Sequence, residues 1–124
     1  MQIKSAKDLI VYQKAYELAM QIFYASKGFP KEEQYSLTDQ IRRSSRSVCS
    51  NLREAWAKRR YKAHFVSKLT DADGENAETH TWLDFGCDCG CISKADHAQF
   101  IERSYEIGAM LGRIINDPSS FILR

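Results

Sequence analysis

Proline is scarce in this chain of 124 residues: Pro30 and Pro118 are the only two, and both fall at apparent element boundaries. Proline inside a helix deletes a hydrogen bond and clashes with the preceding turn, so its scarcity leaves long helices open. A strong bulk charge is missing too. The formal net charge is +2, and bulk charge alone gives no argument for a nucleic-acid partner. No apolar run approaches the roughly 20 residues that a membrane-spanning helix needs. The first twenty residues lack a basic-then-apolar pattern with a small-residue cleavage site. These absences predict a cytoplasmic protein without membrane contact, and its four cysteines are then expected as thiols. Strand-like alternation of any length is also absent. Length suits one domain, 1–124, large enough to bury a core without disulfides or a metal.

What is present is a helical beat throughout. Helix 1 is predicted from about Lys7 to Lys27, stopped by Gly28 with Pro30 beyond. Its apolar residues Leu9, Val11, Tyr12, Ala15, Tyr16, Leu18, Ala19, Met20, Ile22 and Phe23 cover an arc of about 200° at 100° per residue. Helix 2 is predicted to start near Ser36, where "SLTD" resembles a capping box with Asp in place of Glu. Leu37, Ile41, Val48, Leu52 and Ala55 form its core stripe. Helix 3 is predicted from about Tyr61 to Cys89, ending at Gly90, with Phe65, Leu69, Ala72, Leu83, Asn76 and His80 on one face. Helix 4 is predicted from about Lys94 to Asn116. It carries two apolar stripes, one through Ile101, Tyr105, Gly108, Gly112 and Ile115, the other through Phe100, Ile107, Leu111 and Ile114. Four helices with short connections predict an all-α, antiparallel up-down-up-down four-helix bundle. The wide arcs of helices 1 and 4 exceed what the inside of one bundle uses, which predicts self-association into a homo-oligomer.

The stretch "SLTDQIRRSSRSVCSNLREAW" threads arginines through a helical pattern. With helix 2 continued to residue 60, Arg42, Arg46, Arg53 and Arg60 fall within roughly 40° of one another. Between Arg42 and Lys62 stand eight basic residues, Lys58 and Arg59 among them, and one acid, Glu54. Such a row suits a phosphate backbone. Helix 3 carries its counterpart: six acids and no Lys or Arg between Asp71 and Asp88. Asp71, Glu75 and Glu78 share one side of it. Two readings therefore stand. In one, Arg42, Arg46, Arg53, Arg60, Lys58 and Arg59 contact RNA or DNA. In the other, the basic and acidic rows pair within a subunit or between subunits, because the arginine fork meets carboxylate bidentately, or the row is a plain solvated face.

"FGCDCGC" places Cys87, Cys89 and Cys91 in alternation, with His80 and His97 nearby. On a helix Cys87 and Cys91 share a face and Cys89 points elsewhere, so the spacing does not close a tetrahedron and no metal is expected. "DADGEN" has its glycine at the wrong position for a calcium loop and lies inside a helical pattern. His80, on the apolar side, is expected as a core histidine. No phosphate loop, dinucleotide fingerprint or nucleophile–base order appears. The sequence nominates no catalytic residue and no cofactor, and the protein is read as not an enzyme.

Three stretches, "DLIVYQKAYELAMQIF", "FPKEEQYSLTDQIRRSSRSVCSNLREAW" and "GENAETHTWLDF", carry a resemblance. Over nearly its whole length the chain resembles the four-helix-bundle proteins encoded in intervening sequences of bacterial large-subunit ribosomal RNA genes. The accessory variability proteins of diversity-generating retroelements look like relatives. Gln40, Arg43, Ser47, Asn51, Glu54, Gly74 and Glu78 match the family's polar positions, and their expected role is structural, at helix contacts. Two features depart from the family: Arg53, where the family often has an uncharged residue, and Cys91, where an aromatic is common. The resemblance implies a bacterial protein that assembles into a ring, a homopentamer. For the retroelement relatives it further implies nucleic acid and a reverse transcriptase as partners.

Overall fold

The computed structural model describes residues 3–123. Four long helices account for most of it: α1 (Ile10–Ser26), α2 (Asp39–Ala57), α3 (Lys62–Asp88) and α4 (Lys94–Asn116). No strand occurs among the described residues. Each helix packs on its neighbours in chain order, and α4 returns onto α1, closing a four-helix bundle. Cross-helix contacts give the directions. Arg42 meets Ser26 while Arg53 meets Tyr12, so α1 and α2 are antiparallel. Arg43 pairs with Glu78 and Glu54 with Lys68, which reverses α3 against α2. Asn76–Ser104 with Asp84–His97, and Glu17–Arg103 with Lys14–Glu106, do the same for α3–α4 and α1–α4.

One apolar cluster fills the interior. Ile22, Ile41, Leu52, Phe65, Leu69, Leu83, Ile107 and Leu111 are its fully buried large members. Each such side chain contributes about 1.5–3 kcal/mol by leaving water. The expected core stripe of α2 is buried throughout, from Leu37 to Ala55. Two polar pairs cross the interior. Ser44 Oγ lies 2.8 Å from Thr79 Oγ1, joining α2 to α3. Asn76 Nδ2 donates to the Ser104 carbonyl at 2.9 Å, and Ser104 Oγ donates back to Asn76 Oδ1 at 3.3 Å, joining α3 to α4. Buried polar groups are tolerated when they find partners of this kind.

Helix ends follow local chemistry. α4 opens on Ser93, whose hydroxyl accepts from the Asp96 N–H at 3.1 Å. α3 closes in a Schellman turn: Gly90 sits at φ 77, its N–H donates to Cys87, and the Cys91 N–H donates to Gly86. Gly86 also makes room, since a Cβ there would lie 2.6 Å from Ile92 Cδ1. After α4 the chain doubles back. Phe121 lies against Phe65, and the Leu123 N–H donates to the Arg59 carbonyl across the α2–α3 turn.

Several expectations are corrected. α1 starts at Ile10 rather than Lys7, because a short 3-10 turn, Ala6–Asp8, precedes it. There the Asp8 carboxylate accepts from the Lys4 and Ser5 N–H groups and holds the entry. The "SLTD" box does not form: the Ser36 hydroxyl donates to Glu33, and a π-turn, Gln34–Thr38, leads into α2. α2 stops at Ala57, so Arg60 leaves the helical row and lies in the turn. α3 stops at Asp88, which takes Cys91 off the face assigned to it with Cys87. His80 is half-buried and stands edge-on to the exposed Tyr105 ring at 4.8 Å, outside the core. The α1 arc divides as well: Val11, Tyr12, Ala15, Leu18, Ala19 and Ile22 are buried, whereas Tyr16 and Met20 are exposed.

Candidate nucleic-acid interface

α2 presents different chemistry on its two flanks. Toward α1 it shows arginines to aromatics. The Arg42 guanidinium lies 4.9 Å from the Phe23 ring centre, and its Nε donates to Ser26 Oγ at 2.7 Å. Ser26 is buried, and its hydroxyl donates a hydrogen bond to the Phe23 carbonyl. Arg46 lies over the same ring at 5.6 Å, and Arg53 over Tyr12 at 5.4 Å. Such cation–π contacts hold a guanidinium in place while leaving its charge uncancelled. Among the described residues, Arg42, Arg46 and Arg53 form no ion pair. Cys49 lies beneath them, and burial pushes its thiol up to about 11, so it stays neutral against the arginines.

Toward α3 the same helix is zipped by ion pairs and hydrogen bonds. Arg43 Nη2 reaches Glu78 at 3.3 Å and Gln40 Oε1 at 3.3 Å. Asn51 Nδ2 donates to the Ser47 carbonyl at 2.9 Å and lies 3.1 Å from its hydroxyl. Lys68 Nζ is 2.8 Å from Glu54 and 3.5 Å from Asp71. The hydrogen bond from Lys68 holds the Glu54 carboxyl below its usual range. Arg43 and Glu54 thus tie α2 to Glu78 and Lys68 of α3, with Gln40 beside Arg43, whereas the Ser47–Asn51 bonds lie within α2. Gly74 sits exposed on α3, with open space where a Cβ would project.

The expected pairing of the arginine row with Asp71, Glu75 and Glu78 does not occur within the subunit. Those acids face Arg43 and Lys68, which lie outside the row. Glu75 Oε2 is sealed from water without a hydrogen-bond partner, and its carboxyl is raised, first by desolvation and then by the adjacent Glu78. The row itself is shorter than expected. Arg59 stacks on Trp56 at 3.5 Å and donates Nε to the Trp56 carbonyl, packing half-buried at the bundle end. Lys58 and Arg60 are exposed in the α2–α3 turn, apart from Arg42, Arg46 and Arg53.

Sequence reasoning missed the partners on both flanks. Tyr12, Tyr16 and Phe23 were visible only as part of a wide apolar arc. Lys68 lies three residues before the acidic stretch that begins at Asp71. The spacing Tyr12, Tyr16, Phe23 was the available signal, since residues four and eleven apart return to about the same side of a helix.

Cys87, Cys89 and Cys91 are free thiols at the end of α3. Among the described residues, no three His, Cys, Asp or Glu side chains converge as metal ligands. No described helix is long and apolar enough to cross a membrane.

The sequence profile of the 23S rRNA-intervening sequence protein family matches residues 7–113. A solved structure from Bacteroides thetaiotaomicron VPI-5482, a protein of unknown function from the S23 ribosomal protein family, is similar at 32% identity and a TM-score of 0.80. That similarity covers 89% of this chain and 98% of the other. None of the curated proteins matches the sequence. A profile match across most of the helical bundle, joined to a fold shared at that identity, makes the chain a member of the 23S rRNA-intervening sequence protein family.

Proposed function

We propose that this protein is a non-enzymatic, homo-oligomeric scaffold that binds nucleic acid along the α1–α2 face. The observation that carries the reading is the set Arg42, Arg46 and Arg53, held on aromatic rings without a carboxylate partner. A charge fixed in position and left unneutralised is available to phosphate.

Self-association draws on a different side of the bundle. At the α1–α4 seam Ile10 is 62% exposed, and a groove of about 440 Å³ runs between Ile3, Ile10, Met110 and Ile114. Apolar surface left open in this way favours association with a second copy. A pentamer is the assembly that the family resemblance implies.

Binding of RNA or DNA measured across a salt series tests the reading. Each phosphate contact contributes about −0.7 to −0.9 to the slope of log affinity against log salt. Arg46→Gln with Arg53→Gln is expected to flatten that slope by roughly 1.4–1.8 and to leave the fold and the oligomer intact by circular dichroism and light scattering. The competing reading places the row against the acidic α3 of a neighbouring copy. It is favoured by the stretch Asp71–Asp88, where six acids have no basic residue among them. Loss of assembly in the same variant, with no nucleic-acid binding at low salt, would establish that alternative.

A further inference from the structure

Three depressions share residues and run into one another, two between α1 and α2 and one over the outer side of α2. The central groove, about 440 Å³, is lined by Tyr16, Met20, Arg46 and Arg53 among others. Arg46 and Ser50 connect it to a basin of about 650 Å³ that adds Arg42 and Arg43. Tyr16 and Arg53 connect it to a second groove of about 420 Å³ that reaches Lys7. Five cations therefore line one continuous trough against a single acid, Asp39. Of the five, Arg43 is committed to Glu78. A long cationic trough fits a linear polyanion better than it fits a small ligand.

Its aromatic content narrows the choice of polyanion. Tyr16 is 54% exposed and belongs to both grooves. Its ring stands 6.1 Å from Tyr12, tilted by 31°, and Tyr12 is in turn covered by Arg53. Arg46 and Arg53 are seven residues apart, two helical turns or about 10.5 Å along α2, with Tyr16 facing the space they bracket. A duplex turns its base faces inward and offers such a ring nothing to stack on. A single strand exposes them, and base–aromatic stacking combined with a charged groove is how strands are held without sequence preference.

We propose that the α1–α2 trough binds single-stranded RNA or DNA, with Tyr16 as a base-stacking platform between phosphate contacts from Arg46 and Arg53. The proposal rests on the nucleic-acid reading above and specifies its ligand. Fluorescence anisotropy at low salt tests it with three probes of about twelve nucleotides, a length within the footprint of known single-strand sites: an unstructured pyrimidine strand, an abasic strand and a duplex. The pyrimidine strand is expected to bind about tenfold tighter than the abasic one. Tyr16→Ala should erase that difference while leaving abasic binding unchanged, and Tyr16→Phe should restore it. Tyr16 is exposed, so neither change disturbs the core. Equal binding of all three probes, or indifference to Tyr16→Ala, overturns the stacking proposal and leaves the charge-based reading standing. No binding of any probe removes the nucleic-acid reading as well. Dissociation of the oligomer by Tyr16→Ala would give the trough to a second copy of the chain and overturn the proposal.

Discussion

The two flanks of α2 put their arginines to different ends. On the α3 flank, Arg43 finds Glu78, and the neighbouring Glu54 finds Lys68. On the α1 flank, Arg42, Arg46 and Arg53 find Phe23 and Tyr12. The difference lies in the facing helix, since α3 supplies carboxylates and α1 supplies rings. One flank spends its charge on holding two helices in register, and the other keeps its charge at the surface. A basic run in a sequence therefore says little until its neighbours are known.

The α3 flank should be the structural one. Thr79 is buried, lies 2.8 Å from Ser44 Oγ, and donates to the Glu75 carbonyl at 2.9 Å. Thr79→Ala deletes the cross-helix partner and leaves Ser44 a single long bond to the Ile41 carbonyl at 3.4 Å. Leaving a buried hydroxyl poorly paired costs about 1–3 kcal/mol. Urea denaturation should therefore show a lower midpoint with an unchanged slope. A neutral result would mean that this seam is held by apolar packing alone, and the contrast between the flanks would weaken.

On the α1 flank the largest stability effect should come from Arg42, the one arginine of the row that also makes a hydrogen bond. Arg42→Gln removes the Nε–Ser26 bond and the cation–π contact, but Ser26 keeps its bond to the Phe23 carbonyl. A cost of about 1 kcal/mol is expected. Arg46 and Arg53 rest only on ring faces and should be nearly neutral for stability. If Arg42→Gln cost as much as Thr79→Ala, the α1 flank would be structural too, and its availability to phosphate would be in question.

Legibility in the sequence followed the same division between local and tertiary signals. α4 ends where Asp117-Pro118 stops it, and the Ser93 cap at its start is a local signal of the same kind. Gly90 marked the close of α3 for the same local reason. The π-turn before α2 carries no composition signal, so the start of that helix was misplaced by three residues. The α2–α3 turn contains neither glycine nor proline, so no local signal separates Arg60 from the helix that ends at Ala57. For the site, the cations were visible and their counterparts were not. Whether Arg53 meets a ring or a carboxylate depends on which helix lies beside it, and periodicity fixes only the face of a helix. By periodicity alone Tyr16 and Met20 are surplus apolar surface, and only the packing of α1 on α2 sets them beside Arg46 and Arg53.

The smallest effect concerns the acid that the α3 flank fails to pair. Glu75 is half-buried with Oε2 sealed from water, and its carboxyl is raised above the usual range. Desolvation is the main cause, Glu78 and Asp71 add repulsion, and Arg43 pulls the other way. Between the ordinary glutamate value, about 4.3, and the raised native value, the folded state binds more protons than the unfolded one. Stability therefore falls as pH rises through that window. Above it the Glu75 charge is a fixed liability, which Glu75→Gln removes. The variant should be more stable than the parent at neutral pH by a few tenths of a kcal/mol, since solvent screens a partly exposed group. The gain should vanish on acidification below about pH 4, where both proteins are uncharged at this position. Thermal melts at the two pH values read the difference. A gain that persisted in acid would come from packing of the amide and not from charge. A loss at neutral pH would mean that Arg43 already neutralises Glu75 together with Glu78, and the α3 flank would then contain no unpaired acid at all.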